Sequence, residues 1–258
     1  MEEIIKTEGL TKSFKLSSKQ RKLEQTDKKV KVAVDSLSFS AYRGEIFGLL
    51  GPNGAGKTTT LRMLATLIKP DSGSAIICGK SITKEEKEVR KKIGFLTSEL
   101  KLEEFFTPNY IFDFFCELYG VDKAVAANRK RFLFGKFGID RFAEVKIANL
   151  STGMKQKVSL VVSIAHDPDL IIFDEPTNGL DVLTAKVVTD FLEELKAGGK
   201  TIILSTHIFS LVEKLCDRVG VIIGGKLVAL APLAELTGEK SLEDTFFELY
   251  EKTTGEKI

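Results

Sequence analysis

The feature that most limits the fold is a glycine-rich segment between an apolar run and a helical pattern. Residues 46–50 form a continuous apolar run typical of a buried strand, and residues 57–68 have helical spacing. Between them, Gly51-Pro52-Asn53-Gly54-Ala55-Gly56-Lys57-Thr58 fits the pattern G-x-x-x-x-G-K-[ST]. Glycines let backbone N–H groups approach phosphate oxygens, and the following helix adds its positive N-terminal end. The segment therefore predicts a nucleotide triphosphate site.

Two side chains of this segment have specific roles in such a site. Lys57 can reach the β- and γ-phosphates, and the Thr58 hydroxyl can ligate Mg²⁺. The predicted nucleotide-binding residues are Gly51, Pro52, Asn53, Gly54, Ala55, Gly56, Lys57, Thr58 and Thr59.

A second chemical element follows the apolar run at residues 170–173. Asp174 and Glu175 end that run, and ligands of open α/β sheets bind at the carboxyl ends of strands. We expect Asp174 to hold Mg²⁺, usually through water, and Glu175 to polarise the attacking water as general base. Four apolar residues followed by two acids are a weak signal alone, and the phosphate-binding segment makes them a strong one.

The rest of the chain alternates short apolar runs with segments of helical period. Further strand-like runs lie at 201–204 and 219–223, and helices are predicted at 151–166, 185–197 and 208–216. This alternation indicates an α/β core with a largely parallel sheet. Two segments do not follow this alternation. Residues 99–149 contain no strand-like run, and Thr107-Pro108 is a typical start of a helix there. The basic segment 15–31 is predicted to be an exposed loop.

Composition excludes several classes of protein. Hydrophobic residues make up 43% and charged residues 29%, which excludes a disordered or collagen-like chain, and the net charge of +2 does not indicate nucleic acid binding. Cys78, Cys116 and Cys216 lie far apart and are predicted to be buried, reduced thiols. We expect no membrane-spanning helix and no signal peptide, so any membrane role would come through a partner.

One further segment connects these elements to a known family. Leu150-Ser151-Thr152-Gly153-Met154-Lys155-Gln156 resembles the signature motif of ABC-type ATPases, which usually reads L-S-G-G-Q. The resemblance implies that Ser151 and Gly153, at a helix N-terminus, bind the γ-phosphate of ATP held by a second subunit, so that catalysis needs a dimer. An ordinary serine-capped helix is the alternative for this motif taken alone.

The resemblance extends to other positions of the chain. Asp181 matches the D-loop that links the two sites of the dimer, and His207 matches the switch histidine that contacts the γ-phosphate and the catalytic water. Phe14 matches the aromatic residue that stacks on adenine. Where the family commonly has a glutamine, this chain has Ser98 and Glu99, either of which could approach Mg²⁺ or the water. The other histidine of the chain, His166, has no such match and is expected at the surface.

The family implies a fold and a division of the chain. We expect an α/β protein with a P-loop NTPase (RecA-like) core, an antiparallel β subdomain and an inserted α-helical subdomain. Residues 1–98 would form the N-terminal part of the core with the β subdomain, 99–149 the helical insertion, 150–225 the C-terminal part of the core, and 226–258 a short extension.

The chain looks most like stand-alone ATP-binding subunits of ABC-2-type exporters, in particular the NatA-like sodium-export group. Residues 31–70, 150–157, 178–183 and 241–246 carry this closer match, and nothing in these four segments coordinates sodium. The match implies that a homodimer, or a pair with a homologous subunit, binds ATP and Mg²⁺ at the cytoplasmic face of the cell membrane and drives a separate membrane-spanning permease. No nucleic acid partner is expected. The phenylalanine-rich residues 105–119 are the candidate permease contact, with plain helical core as the alternative.

Two other functions are alternatives to this one. A soluble ABC ATPase that acts on ribosomes or DNA usually carries two cassettes or a long coiled-coil insertion, and this chain has one set of motifs. A small-molecule kinase or GTPase is the weaker rival, because no N-K-x-D sequence follows the phosphate-binding segment.

Overall fold

The computed structural model describes residues 2–23, 26–97 and 102–256, and two sheets organise them. In chain order the elements are β1 (Glu3–Lys15), α1 (Ser18–Leu23), β2 (Val30–Leu37), β3 (Ser40–Tyr42), β4 (Ile46–Leu50), α2 (Lys57–Leu64), β5 (Ser72–Ile77), β6 (Lys80–Ser81), α3 (Glu86–Lys92), β7 (Ile93–Thr97), α4 (Pro108–Leu118), α5 (Lys123–Phe137), α6 (Thr152–Ser163), β8 (Leu170–Asp174), α7 (Val182–Ala197), β9 (Thr201–Thr206), α8 (Phe209–Leu215), β10 (Arg218–Ile223), β11 (Lys226–Pro232), α9 (Leu233–Thr237) and α10 (Leu242–Thr254).

The larger sheet has the strand order β11-β10-β4-β9-β8-β7, and all of its pairs are parallel except β10 with β11. Every residue of β4, β8 and β9 is buried. This burial explains the continuous apolar runs of these strands, because helices cover both faces of a parallel sheet. The predicted α/β core with a largely parallel sheet is confirmed.

The smaller sheet is antiparallel and packs on the core at β4 and α2. Its strand order is β2-β1-β5-β6, and β3 pairs with β1. Side chains from this sheet, such as Ile5 and Leu10, share one hydrophobic core with Phe47 of β4 and Leu61 of α2. This shared core fixes the sheet against the strand and helix that flank the glycine-rich segment.

The helices α4 and α5 begin with side-chain caps that the sequence pattern indicates. Thr107 precedes α4, its hydroxyl accepts a hydrogen bond from the Tyr110 amide at 3.2 Å, and Pro108 occupies the first helical position. Asp122 caps α5 in the same way. Within residues 102–149 the structure contains no strand. The fully buried Phe112 packs edge-on against Phe134, which joins the two helices.

The basic segment 15–31 differs from the prediction of a plain loop, because it contains helix α1. Ser17 and Gln20 explain the helix: the Ser17 hydroxyl accepts from the Gln20 amide at 3.3 Å, and the Gln20 side chain accepts from the Ser17 amide at 2.8 Å. This reciprocal capping box stabilises a helical turn without any core contact. The helix buries no residue, so the expected exposure of the segment is confirmed.

His166 is not the surface residue that we expected. Its ring stacks on Tyr119 with 3.8 Å between centroids, and its Nε2 donates a hydrogen bond to the Ile93 carbonyl at 3.0 Å. Burial lowers the pKa of the imidazole, and the bond to Ile93 raises it by less. The ring is therefore a neutral packing element between α4, α6 and β7.

The chain after β10 extends the main sheet by one strand and adds a helix. Strand β11 pairs with β10, and α10 packs on α8, where the ring centroids of Phe246 and Phe209 lie 5.3 Å apart.

The three cysteines are free thiols. Among the described residues, Cys116 and Cys216 are buried and Cys78 is partly buried. In the same ranges, none of the helices has the length and apolarity to cross a membrane.

Candidate functional site

Three neighbouring strands bring the predicted chemical groups together. Strand β9 lies between β4 and β8, with Leu50 in register with Thr206, and Ser205 in register with Asp174. The glycine-rich segment follows β4, the two acids end β8, and His207 follows β9. Because the strands are parallel, all three carboxyl ends meet at one edge of the sheet.

The glycine-rich segment adopts a conformation that requires glycine at two positions. Gly56 has φ 105°, and a Cβ there would lie 2.3 Å from the Ala33 carbonyl oxygen of β2. A Cβ on Gly51 would lie 2.2 Å from the Ile222 carbonyl oxygen of β10. Ala55 is buried, whereas Asn53 and Gly54 are exposed. The loop is therefore held between β2 and β10 with its outer turn open.

Lys57 is the first residue of α2 and points back into this loop. Its Nζ donates to the Gly51 carbonyl at 2.7 Å and to the Pro52 carbonyl at 3.2 Å, and the side chain is 5% exposed. Burial lowers the pKa of Lys57, and the Glu175 carboxylate, whose Oε1 lies 3.6 Å from Nζ, acts in the opposite direction. An ammonium group held by loop carbonyls in this way is ready to exchange them for phosphate oxygens.

Asp174 forms the second part of the site, with two hydroxyl groups. Its Oδ1 accepts from Thr58 Oγ1 at 3.0 Å and from Ser205 Oγ at 2.5 Å, and the residue is buried. A carboxylate and a hydroxyl are the oxygen donors that Mg²⁺ takes beside nucleotide phosphates. Thr58 and Asp174 therefore fit a Mg²⁺ site. The sequence patterns did not indicate Ser205, although it lies only two residues before His207.

Glu175 and His207 form the third part. The Glu175 backbone has φ 54°, and its amide donates to the Ser205 carbonyl at 3.1 Å. Its Oε1 lies 3.0 Å from His207 Nδ1, while its Oε2 is buried and has no hydrogen-bond partner within residues 2–23, 26–97 and 102–256. A buried acceptor oriented by a histidine suits a general base, because it can accept the proton of an attacking water.

The signature segment lies beside the acids of β8 rather than in the phosphate loop, because Thr152, Lys155 and Gln156 line one cavity with Asp174 and Glu175. Ser151 caps α6, with its hydroxyl accepting from the Met154 amide at 3.3 Å. A Cβ on Gly153 would lie 3.9 Å from Oδ2 of Asp181, which caps α7 through two bonds of 3.0 Å. In the part of the chain that the structure describes, no hydrogen bond or ion pair joins Ser151 to Lys57 or its loop.

Four further residues were predicted to belong to the site: Thr59, Phe14, Ser98 and Glu99. Thr59 follows Thr58 in the first turn of α2. Phe14 lies near the end of β1, partly exposed, with the Lys12 ammonium 5.8 Å from its ring centroid. Ser98 and Glu99 lie outside the described residues. The last residue before them, Thr97, ends β7 in register with Asp174.

The fold and these side chains define a P-loop nucleoside triphosphatase. Residues 34–178 match the family described as ABC transporter. An uncharacterized ABC transporter ATP-binding protein of Methanocaldococcus jannaschii is 42% identical over 90% of this chain and 79% of its own length. The ABC transporter ATP-binding protein NatA of Bacillus subtilis is 38% identical over 85% of this chain and 90% of its own.

Two further similarities agree with these. Nod factor export ATP-binding protein I of Ralstonia nicotianae is 37% identical over 90% of this chain and 68% of its own length. A solved structure of the ATP binding subunit of an ABC transporter superposes with a TM-score of 0.83 at 28% identity, and the match covers 96% of this chain and 99% of that one. The chain belongs to the ABC transporter family, as an ATP-binding subunit and an ATPase. The predicted family, fold class and enzyme activity are confirmed.

Proposed function

We propose that this ATPase drives an ABC-2-type exporter, through a separate membrane-spanning permease, from the cytoplasmic face of the cell membrane. The observation that carries the proposal is a row of exposed apolar side chains on and before α4, outside the ATP site. Phe105, Tyr110, Phe114 and Leu118 are all exposed, whereas Phe112 on the same helix is fully buried. Packing inside the helical segment therefore explains the presence of Phe112, but it does not explain the four exposed side chains.

Tyr110 and Phe114 of this exposed row line an apolar groove of about 350 Å³ between α4 and the sheet core. Leu67, Phe95 and Tyr119 contribute to its lining, and Arg90 lies at its polar side. Contiguous exposed apolar surface of this kind marks a binding site for another protein. A short amphipathic segment of the permease fits such a groove. The groove therefore supports the helical insertion, residues 99–149, as the part of the chain that couples ATP hydrolysis to transport. The other three parts of the proposed division are residues 1–98, 150–225 and 226–258.

The hydrolysis step follows from the side chains of the site. Lys57 exchanges the Gly51 and Pro52 carbonyls for β- and γ-phosphate oxygens. Thr58 and Asp174 would hold Mg²⁺, which would neutralise phosphate charge when bound. Glu175 takes a proton from the attacking water, and His207 orients the carboxylate through Nδ1.

Dimerisation gives the signature segment its role. Ser151 caps its own helix α6, Gly153 lies beside the Asp181 cap of α7, and among the described residues no hydrogen bond joins Ser151 to the phosphate loop. This arrangement supports a position over the ATP of a second copy or a homologous subunit. The helix end would stabilise the γ-phosphate by its hydroxyl and its dipole. Loss of the γ-phosphate on hydrolysis removes these contacts, so the dimer reopens and the difference in ATP and ADP affinity drives the permease. Asp181, at the same interface, would join the two sites.

The transported substance is the least constrained part of this function. The closer resemblance to the NatA-like group favours sodium, while a relative of comparable identity is named for Nod factor export. This difference supports a choice of cargo that is made by the permease rather than by the ATP-binding subunit.

Two measurements test this function. Light scattering of Glu175→Gln should show a doubled mass with ATP and a single chain without it. Affinity capture of the tagged wild-type chain from native membranes should recover a polypeptide with several membrane-spanning segments. Phe114→Asp should lose that partner, and the control Phe132→Asp, also exposed but on α5 and outside the groove, should retain it. Recovery of ribosomal proteins or DNA instead, with both variants unchanged, would favour the soluble alternative.

A further inference from the structure

Gln156 belongs to the signature segment but lies away from its N-terminal end, where it touches the loop after the catalytic acids. Its Nε2 donates to the Asn178 carbonyl at 3.2 Å. If the amide were flipped, Gln156 Oε1 would face the Asn178 carbonyl oxygen, and two acceptors cannot form a hydrogen bond. This contact therefore determines which end of the side-chain amide faces the loop. Its Oε1 is buried and lacks a donor among the described residues.

The bond continues a path that starts at the general base. Asn178 donates its amide to the Glu175 carbonyl at 3.1 Å, and the Glu175 side chain contacts His207 at 3.0 Å. The path therefore runs from the γ-phosphate side of one site, through the backbone of the intervening loop, to Gln156 on α6. Each link is a contact within one chain.

The loop also packs closely on α6. Gly179 has φ 73°, and a Cβ there would lie 3.9 Å from Gln156 Nε2, while a Cβ on Gly153 would lie 3.9 Å from the Asp181 carboxylate. Ser151 lies five residues before Gln156, about 7.5 Å along the helix axis at 1.5 Å per residue. A shift of the loop would therefore be transmitted to the Ser151 end through a rigid helix.

We propose that Gln156 is a positioning residue that couples the two ATP sites of the dimer. This inference rests on the dimer of the proposed function, in which Ser151 acts on the ATP of the partner. When hydrolysis changes the contacts of Glu175, the loop at Asn178 moves, and Gln156 carries that movement to the signature helix over the other ATP.

The coupling has a measurable size. Coupling between two binding sites typically changes affinity by about 5- to 150-fold, and the Hill coefficient of a coupled two-site dimer rises above one, with about two as its upper limit. Loss of one neutral hydrogen bond corresponds to the lower end of that range. We therefore expect removal of the Gln156 donor to weaken the coupling about fivefold and to lower the Hill coefficient for ATP towards one.

The experiment compares Gln156→Leu and Gln156→Glu with wild type, and with the control Gln20→Leu on the exposed helix α1. Gln156→Glu keeps the shape and an acceptor but removes the donor, so both Gln156 variants should lose cooperativity. Hydrolysis in a single turnover at saturating ATP should stay within about twofold of wild type, because the groups that act on ATP are intact. Steady-state rates over a range of ATP concentrations supply the Hill coefficient, and light scattering confirms that the variants dimerise with ATP.

The outcomes separate this inference from the proposed function. A single-chain mass for Glu175→Gln with ATP would overturn the dimeric function and the coupling together, whereas a Hill coefficient near one in a wild type whose Glu175→Gln variant dimerises would overturn the coupling alone. A cooperative wild type with equally cooperative Gln156 variants would overturn the coupling alone. Equal losses of cooperativity and of single-turnover rate would also overturn it, because Gln156 would then be supporting the structure of the site in general.

Discussion

Replacing Glu175 by glutamine tests the chemistry of the site most directly. Glutamine keeps the size of the side chain and removes its charge and its ability to accept the proton of water. The structure contains a second carboxylate close by, on Asp174, but that group accepts hydrogen bonds from Thr58 and Ser205. Asp174 is therefore not free to replace Glu175 as the base at this position.

The expected loss is the contribution of a general base. Such catalysis contributes about 10²- to 10⁴-fold, which corresponds to about 3–5 kcal/mol of barrier height. ATP binding should not weaken, because the substitution removes a carboxylate 3.6 Å from Lys57 Nζ that would repel the γ-phosphate. The change should therefore appear in kcat and not in the dissociation constant for ATP.

The assay is phosphate release at saturating ATP, with ATP binding measured separately by equilibrium dialysis. Glu248→Gln on α10 makes the same chemical change at an exposed salt bridge with Lys240 and should leave the rate unchanged. A Glu175→Gln rate within about tenfold of wild type would refute the assignment of Glu175 as the base, because general-base catalysis accounts for more than that.

Four further changes test other parts of the structure. Lys57→Ala should weaken ATP binding at least about tenfold in equilibrium dialysis, and normal binding would contradict the role of the loop. Asp174→Asn should raise the Mg²⁺ concentration for half-maximal hydrolysis about 10- to 100-fold, and an unchanged Mg²⁺ titration would argue against its metal role. Phe246→Ala should lower the free energy of unfolding in urea by about 3–5 kcal/mol, against under about 1 kcal/mol for the exposed Phe132→Ala. His166→Gln should reduce the pH dependence of stability. Because burial lowers the pKa of His166, the unfolded chain takes up its proton first as pH falls, at about 6.5, so wild-type stability falls below that pH; an equal fall in the variant would contradict this.

Local patterns predicted the elements that carry the chemistry. Continuous apolarity placed β4, β8, β9 and β10, because strands buried on both faces have no polar alternation. The glycine pattern predicted the phosphate loop, and the structure shows why Gly51 and Gly56 are needed: carbonyls of β10 and β2 approach them too closely for any side chain.

Features that depend on distant contacts were not predicted. His166 gave no local sign of burial, because its partner Ile93 is 73 residues away in sequence. Ser205 looked like an ordinary strand residue until the pairing of β8 with β9 placed it beside Asp174. The helix end at Leu64 is also earlier than its apolar spacing predicted, because Thr66 takes a left-handed conformation with φ 59°.

The arrangement of the active site depends on the order of the strands rather than on any single motif. In sequence, the phosphate loop comes first, followed by Ser151, then the acids, then His207. In the sheet, the last of these strands, β9, lies between the other two, so His207 follows the strand between the loop and Glu175. Ser151 lies in the same stretch of sequence but at the start of a helix outside this row of strand ends. The same topology completes three parts of the site within one chain, and the proposed dimer would supply the fourth.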